Sequence, residues 1–180
     1  MPRGELHVWR VRLGSAGWPV LAALPPQERD RAGELLSERA RRRWVAARWA
    51  LRSVLARYTG REPAGIELRF GERGKPMLAE PDPPLCFNLS HSGELALIAV
   101  AGEREVGVDV QAIGDRPAEF YAQWTRREAV AKCHGVGLWA PLPDAPVAVA
   151  PLDAGEGFAA AVAVAGDEVP SLRHFVAEPG

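Results

Sequence analysis

The sequence predicts an α+β protein of two pseudo-symmetric lobes, each a small, mostly antiparallel sheet packed against one helix. Three observations favour this class. One long stretch, residues 38–58, has clear helical periodicity, and most other apolar segments are short and strand-like. A weak internal repeat aligns residues 95–103 with residues 159–167. We therefore expect an N-terminal lobe at residues 1–103 and a C-terminal lobe at residues 104–180.

The first lobe opens with a strand and a long helix. Residues 5–13 alternate in part between apolar and polar side chains, which predicts a strand with one buried face. A polar, helix-compatible stretch follows at residues 26–38. The helix at residues 38–58 contains no Pro or Gly and carries apolar side chains at three- and four-residue steps. A short strand is predicted at residues 66–70 and a turn-rich connection at residues 71–84.

The rest of the chain repeats this mixture of strands and one helix. The second helix is predicted at residues 120–134, and Gly135 and Gly137 stop it. Each helix would cover one face of the sheet in its own lobe. The remaining strands are predicted at residues 95–101, 106–110, 147–150, 158–164 and 172–176.

The composition is that of a soluble globular protein. Of 180 residues, 47% are hydrophobic and 25% are charged. No apolar run approaches the roughly 18 residues of a membrane span, and the first residues lack the apolar core of a signal peptide. Because only Cys86 and Cys133 are present, we expect a reducing, cytoplasmic location. The net charge of −1 gives no general attraction to nucleic acid or to a membrane, so neither is an expected partner.

An acid stands among valines in the strand Val-Gly-Val-Asp-Val-Gln, residues 106–111. Alternation along a strand places Asp109 and Gln111 on one face. Two interpretations remain open: a strand-end acid that caps the next turn, or a ligand of a hard cation, since an unpaired buried carboxylate is costly. One carboxylate is too few for calcium, whereas magnesium commonly uses one or two together with water and phosphate oxygens.

The second predicted helix offers another carboxylate. Glu128 and Lys132 are four residues apart and therefore share one helical face. They could form a surface ion pair. They could instead act on a phosphate, the carboxylate holding a metal or taking a proton and the ammonium meeting the phosphate. Lys75 and Lys132 are the only lysines among 22 basic residues, which singles out both positions.

A third group of candidates is cationic and polar. The glycine before Lys75 would let the backbone approach a phosphate closely, and Ser90 and His91 could donate hydrogen bonds to phosphate oxygens. Read alone, His91 is more simply a structural histidine, and the spacing of a Walker loop is absent. An arginine run could indicate nucleic-acid binding, but the low net charge and neighbouring acids favour a solvated helix face. The run comprises Arg39, Arg41, Arg42, Arg43, Arg48 and Arg52.

Four motifs in a fixed order resemble those of one enzyme family. They are Arg-Gly-Lys-Pro (73–76), Phe-Asn-Leu-Ser-His-Ser (87–92), Val-Gly-Val-Asp-Val (106–110) and Trp-Thr-Arg-Arg-Glu-Ala-Val-Ala-Lys (124–132), followed by Gly-Val-Gly-Leu (135–138). This series closely resembles the 4′-phosphopantetheinyl transferases of the surfactin-synthetase-activating type. The resemblance extends upstream to residues 24–29 and 48–52, and so covers most of the chain.

The resemblance implies a monomer that holds coenzyme A in the cleft between its lobes. The N-terminal lobe would contact coenzyme A, and the C-terminal lobe would carry the metal and the catalytic helix. Enzymes of this family use Mg²⁺ to move the phosphopantetheine arm of coenzyme A to a serine of an acyl, peptidyl or aryl carrier protein. The other product is 3′,5′-ADP.

The resemblance also implies roles for individual residues. By similarity, the metal would be held by Asp109 and Glu128, with Gln111 binding it weakly or through water. Glu128 would be the base for the carrier serine, and Lys132 would neutralise charge on the phosphate in flight. Coenzyme A would be contacted by Arg73, Lys75, Ser90 and His91, with Arg31, Arg43 and Arg48 at its 3′-phosphate end.

Two departures from the family pattern keep a second function open. Gln111 stands where many members have a third acid. Only residues 112–121 connect the Asp109 strand to the next helix, where members usually carry a longer segment that helps to dock the carrier. The alternative is a non-catalytic regulator of the same fold that binds coenzyme A or a carrier protein.

Overall fold

The computed structural model describes residues 4–18, 21–71, 74–80 and 84–179. It has the predicted α+β class, with three α-helices and three small sheets in the described residues. The helices are α1 (Pro26–Gly33), α2 (Glu38–Thr59) and α3 (Ala118–His134). The strands are β1 (Glu5–Arg12), β2 (Leu68–Phe70), β3 (Pro76–Leu78), β4 (Cys86–Ser92), β5 (Leu95–Ala101), β6 (Val106–Ala112), β7 (Val147–Leu152), β8 (Phe158–Ala165) and β9 (Ser171–Ala177).

The two lobes share one topology. In the first, β5 lies between β4 and β1; in the second, β8 lies between β7 and β6, and all these pairs are antiparallel. The central strands β5 and β8 are the two halves of the sequence repeat. Leu97 of β5 pairs with Arg10, and Ala161, its equivalent in β8, pairs with Asp109. Asp109 therefore takes the place in the second lobe that Arg10 has in the first.

The last strand joins the lobes by returning to the first sheet. β9 runs parallel to β1, with Trp9 opposite Phe175. The expected boundary after residue 103 falls in the connection from β5 to β6, and as a division into folding units it stays a prediction.

Each long helix covers the sheet of its own lobe. The Oγ of Ser37 accepts a hydrogen bond from the Ala40 N–H (3.0 Å) and so caps α2, which ends at Gly60 in the left-handed conformation that glycine permits. The α2 face packs on β1 and β5 through Leu51 and Val54 among others, which are fully buried. No helix in the described residues has the length and apolar character that crossing a membrane requires.

Glycine lets α3 lie directly on the second sheet. A Cβ at Gly107 of β6 would lie 2.1 Å from the Ala129 carbonyl oxygen and 2.4 Å from the Cys133 nitrogen. Any side chain there would push α3 away from β6. This close approach brings the side chains of α3 next to Asp109.

Two arginines predicted on a solvated helix face are buried instead. Arg48 donates to Oε1 of Glu28 through Nε (3.0 Å) and Nη2 (2.7 Å), and Arg52 donates to Oε2 of Glu28 (2.8 Å). All three residues are less than 8% exposed. The prediction was wrong here because one buried acid on α1 accepts hydrogen bonds from both guanidinium groups and holds α1 against α2.

Three local predictions also differ from the structure. The helix-compatible stretch at residues 26–38 ends at Gly33, because Ser37 caps the next helix. The connection at residues 71–84 contains β3, which pairs with β2. Strand β4 was missed because three of its alternate positions are polar and two of these are buried, a pattern that the apolar periodicity of a core strand does not match.

Candidate active site between β4 and β6

The two lobes meet along β4 and β6, and a row of side chains joins them. We call this contact the seam. The side chain of every second residue on β4, starting at Asn88, accepts a hydrogen bond from a backbone N–H of β6. In an ordinary strand pair the acceptors would be backbone carbonyls. The pairs are Asn88 Oδ1 with Val108 N (2.9 Å), Ser90 Oγ with Val110 N (3.3 Å) and Ser92 Oγ with Ala112 N (2.9 Å).

Asp109 lies at the middle of the seam and is only 1% exposed. Its Oδ1 accepts hydrogen bonds from Ser90 Oγ (2.8 Å) and Lys132 Nζ (2.6 Å). Its Oδ2 accepts one from Gln111 Nε2 (3.2 Å). These partners offset the cost of burying the carboxylate and fix its orientation.

Lys132 connects this buried acid to the surface. Its Nζ also donates to Ser90 Oγ (3.2 Å), and 29% of the side chain is exposed. In the described residues its ion-pair partner is Asp109, and no surface ion pair with Glu128 is formed. An ammonium in this position can reach an anion at the surface while it contacts the buried carboxylate.

Glu128 stands near both charges. Burial raises the pKa of its half-buried carboxyl group, and the charge of Asp109 adds to that rise against the opposing effect of Lys132. A carboxylate with a raised pKa is a better proton acceptor than an ordinary glutamate. The mutual repulsion of two neighbouring carboxylates also favours a cation near them.

The donor set fits magnesium better than a metal that needs many protein ligands. The described residues contain no cluster of three or more His, Cys, Asp or Glu side chains that could hold a metal ion. Magnesium commonly takes only one or two carboxylates and completes its shell with water and phosphate oxygens. Asp109 and Glu128 are the two carboxylates predicted to bind it, and the amide oxygen of Gln111 is a weaker neutral donor.

His91 follows Ser90 and extends the site toward α2. The surrounding chain desolvates the imidazole and lowers its pKa, and the positive charges of Lys132 and Arg43 lower the pKa further. The imidazole therefore lies within the electrostatic reach of both cations. Arg43 in turn donates two hydrogen bonds to Glu94, one from Nε (2.9 Å) and one from Nη2.

The structure does not place the other described residues predicted to contact coenzyme A beside Asp109. Lys75 Nζ donates to Glu105 Oε2 (2.7 Å) and to the Val106 carbonyl (3.1 Å), at the start of β6. Arg31 is exposed and pairs with Glu34, and Arg48 is held in the interior. Arg73 lies outside the described residues.

Sequence reasoning missed three residues around the site. Asn88 and Ser92 flank Ser90 at alternate positions, and this N-x-S-x-S spacing was the available signal for a polar strand face. Glu94 carried no such signal, because the arginines it binds are far away in the sequence.

Comparison with known proteins gives one consistent result. A family model described as "4′-phosphopantetheinyl transferase, N-terminal" matches residues 15–103. The 4′-phosphopantetheinyl transferase HetI of Nostoc sp. (strain PCC 7120) is 32% identical, over 83% of this chain and 76% of the relative. The 4′-phosphopantetheinyl transferase AcpT of Escherichia coli (strain K12) is also 32% identical, over 73% of this chain and 76% of its own length.

A third relative agrees over a shorter region. The phosphopantetheinyl transferase of Thraustochytrium sp. is 36% identical over 61% of this chain and 40% of its own length. HetI and AcpT are matched over most of both chains, and the conclusion rests on them. This chain is an enzyme, a transferase, and it belongs to the 4′-phosphopantetheinyl transferase family.

Proposed function

We propose that this enzyme moves the 4′-phosphopantetheine arm of coenzyme A to a serine hydroxyl of a carrier protein, in the manner of the surfactin-synthetase-activating type. The observation that carries the proposal is the contact of Asp109 with Lys132 at the seam, with Glu128 beside it. A buried carboxylate, a surface-reaching ammonium and a carboxylate of raised pKa are suited to phosphoryl transfer. The proposal includes dependence on Mg²⁺ and release of 3′,5′-ADP.

Asp109 and Glu128 would hold Mg²⁺, with Gln111 contributing its amide oxygen directly or through water. When bound, the ion would supply positive charge to the pyrophosphate of coenzyme A. Asp109 is suited to this role because Ser90 fixes the orientation of its carboxylate, and Gln111 Nε2 would leave Oδ2 when the ion binds there.

The other steps are assigned to side chains of the chain itself. Glu128 takes the proton of the carrier serine, directly or through a water. The serine oxygen forms a bond to the phosphorus that bears the pantetheine arm. The bond from that phosphorus to the bridging pyrophosphate oxygen breaks, and its electron pair leaves with 3′,5′-ADP. Lys132 neutralises the charge on the phosphoryl oxygens during transfer.

Coenzyme A would extend from this cluster along β4 toward α2. We assign its 3′-phosphate to His91 and Arg43. Arg48 is a weaker candidate, because its guanidinium is buried and donates to Glu28, and Arg31 is weaker because it has no contact near the cluster. Contacts of Lys75, Ser90 and Arg73 with coenzyme A stay predictions from the sequence.

We propose coenzyme A and an acyl, peptidyl or aryl carrier protein as the partners of this enzyme. The enzyme would act as a monomer in the cytoplasm. The names of HetI and AcpT favour this transferase over the non-catalytic regulator considered from the sequence. The connection from β6 to α3, residues 113–117, is short, so we expect a narrow carrier preference.

The test is ligand-induced stabilisation followed by product analysis. We expect coenzyme A with Mg²⁺ to raise the melting temperature more than coenzyme A with a chelator, and 3′-dephospho-coenzyme A to raise it less. A panel of acyl, peptidyl and aryl carriers should then yield 3′,5′-ADP with at least one. Binding without 3′,5′-ADP from any carrier would favour the regulator, and no binding at all would contradict the proposal.

A further inference from the structure

Glu94 binds two arginines at the end of the proposed coenzyme A path. It lies in the hairpin between β4 and β5, and its Oε1 accepts hydrogen bonds from Arg39 Nη2 (2.9 Å) and from both Nε and Nη2 of Arg43. Its Oε2 faces Gly14, where an added Cβ would lie 3.0 Å away. Its carbonyl accepts a hydrogen bond from the Leu13 N–H (2.9 Å), which holds the hairpin against β1.

The position of Glu94 is unusual because its neighbours are cations. Arg39 and Arg43 lie at the start of α2 and Lys132 contacts Asp109, so positive groups stand at both ends of the proposed path. Coenzyme A carries two separated anionic groups, a pyrophosphate and a 3′-phosphate, and cations at the two ends of the path could each bind one of them. Glu94 places one negative charge at the far end of the path.

A cavity opens at the same place. It has a volume of about 700 Å³, and Arg39, Arg43 and Glu94 line it together with apolar side chains that include Leu13 and Trp18. Four arginines and two glutamates line this cavity, so it carries a net positive charge that suits an anionic ligand. The two arginines are therefore accessible to a ligand that enters from solvent.

A carboxylate and a phosphate compete for arginine because both accept the paired N–H groups of a guanidinium. We propose that Glu94 is a specificity-determining residue, which competes with the 3′-phosphate of coenzyme A for Arg39 and Arg43 and so reduces the preference for coenzyme A over 3′-dephospho-coenzyme A. This inference rests on the proposed function, in which Arg43 binds that phosphate.

The ion pair of Glu94 differs from the ordinary surface pairs on α2. Glu38 pairs with Arg42 and Arg41 within one helix, as neighbouring helical residues commonly do. Glu94 instead reaches from another element and takes two arginines one turn apart on α2. The control is Glu80, an exposed acid that pairs with Arg61 and does not line the cavity, so Glu80→Gln removes the same charge without touching Arg39 or Arg43.

The experiment measures the dissociation constants of coenzyme A and 3′-dephospho-coenzyme A for the full chain and its variants. We expect Glu94→Gln to lower the dissociation constant of coenzyme A up to about fivefold, because it frees the arginines from a surface ion pair, which is worth little in water. Binding of 3′-dephospho-coenzyme A should stay unchanged, and Glu80→Gln should change neither constant by more than about twofold. Melting temperatures check that each variant is folded.

A double-mutant cycle tests whether the effect passes through the two arginines. In a background that carries both Arg39→Gln and Arg43→Gln, Glu94→Gln should no longer favour coenzyme A. The inference is overturned if Glu94→Gln leaves the ratio of the two constants unchanged, or if it weakens coenzyme A, which would mean that Glu94 orients Arg43 for binding. Failure of the unmodified chain to bind coenzyme A would instead contradict the proposed function.

Discussion

Ser90 is the residue that most directly joins the fold to the site. Its hydroxyl accepts the Val110 N–H across the seam and donates to Asp109, while Lys132 donates to it. Ser92 makes the same kind of seam contact with Ala112 but does not touch Asp109. Comparing Ser90 with Ser92 therefore separates the contribution of the seam to stability from its contribution to catalysis.

Ser90→Ala and Ser92→Ala should therefore differ in turnover more than in stability. Each leaves a β6 N–H without its acceptor, so we expect each to lose about 1–2 kcal/mol of the free energy of unfolding. Only Ser90→Ala should lower kcat, by about 10- to 100-fold, because Asp109 and Lys132 lose a shared partner. Ser90→Thr, which keeps the hydroxyl, should recover most of kcat. Equal turnover of the two alanine variants would contradict a positioning role.

Glu128 combines a cost in stability with the proposed role as a base. Because burial raises its pKa in the folded chain, its charged form opposes folding at high pH. Glu128→Gln should therefore raise the melting temperature slightly at pH 8, by about 1–3 °C, since solvent reaches the side chain. The gain should shrink as the pH falls toward the ordinary pKa of a glutamate, where the native carboxyl group is protonated.

Glu128→Gln should also lower the rate of phosphopantetheine transfer by about 100-fold or more, because it removes the proposed general base. Thermal unfolding across pH 4–8 and carrier-modification rates measure the two effects. Near-normal transfer by Glu128→Gln would remove Glu128 from the proposed chemistry, and a gain in stability that grows toward low pH would contradict the assigned direction of its pKa.

At the scale of elements, the contact of α3 with β6 decides whether the site forms. Gly107→Ala places a methyl group against the α3 backbone, so we expect a loss of about 3 kcal/mol in the free energy of unfolding, toward the upper end for overpacking. Gly102→Ala is the control, because nothing lies within 4 Å of a Cβ there, and it should stay within about 0.5 kcal/mol of the unmodified chain. Denaturant unfolding measures the free energy of unfolding of both variants. Similar losses in the two would contradict the close packing of α3 on β6.

Periodicity predicted the elements that have one buried apolar face. The helix expected at residues 38–58 is α2, and the strands expected around Trp9, Leu97 and Val162 are β1, β5 and β8. Strand β4 could not be predicted in this way, because Asn88 and Ser90 are buried polar residues whose partners are N–H groups of another strand. The apolar content of a segment does not report such partners.

At the scale of the molecule, the repeat predicted two similar lobes, and only one of them carries the acid. Asp109 of β6 has Arg10 of β1 as its equivalent, so the charges at the two positions are opposite. The sequence motifs brought attention to Asp109, Glu128 and Lys132. The motifs could not predict that Glu94 binds Arg43 or that β9 pairs with β1, because both depend on contacts between distant parts of the chain.

The most direct test of the account is the intact mass of an apo carrier protein after incubation with coenzyme A and Mg²⁺. We expect the unmodified chain to add one phosphopantetheine group to at least one acyl, peptidyl or aryl carrier. Asp109→Asn should add none, although its circular dichroism should show that it remains folded. Modification by Asp109→Asn at the rate of the unmodified chain would contradict the central role of Asp109, and no modification of any carrier by the unmodified chain would contradict the proposed transfer.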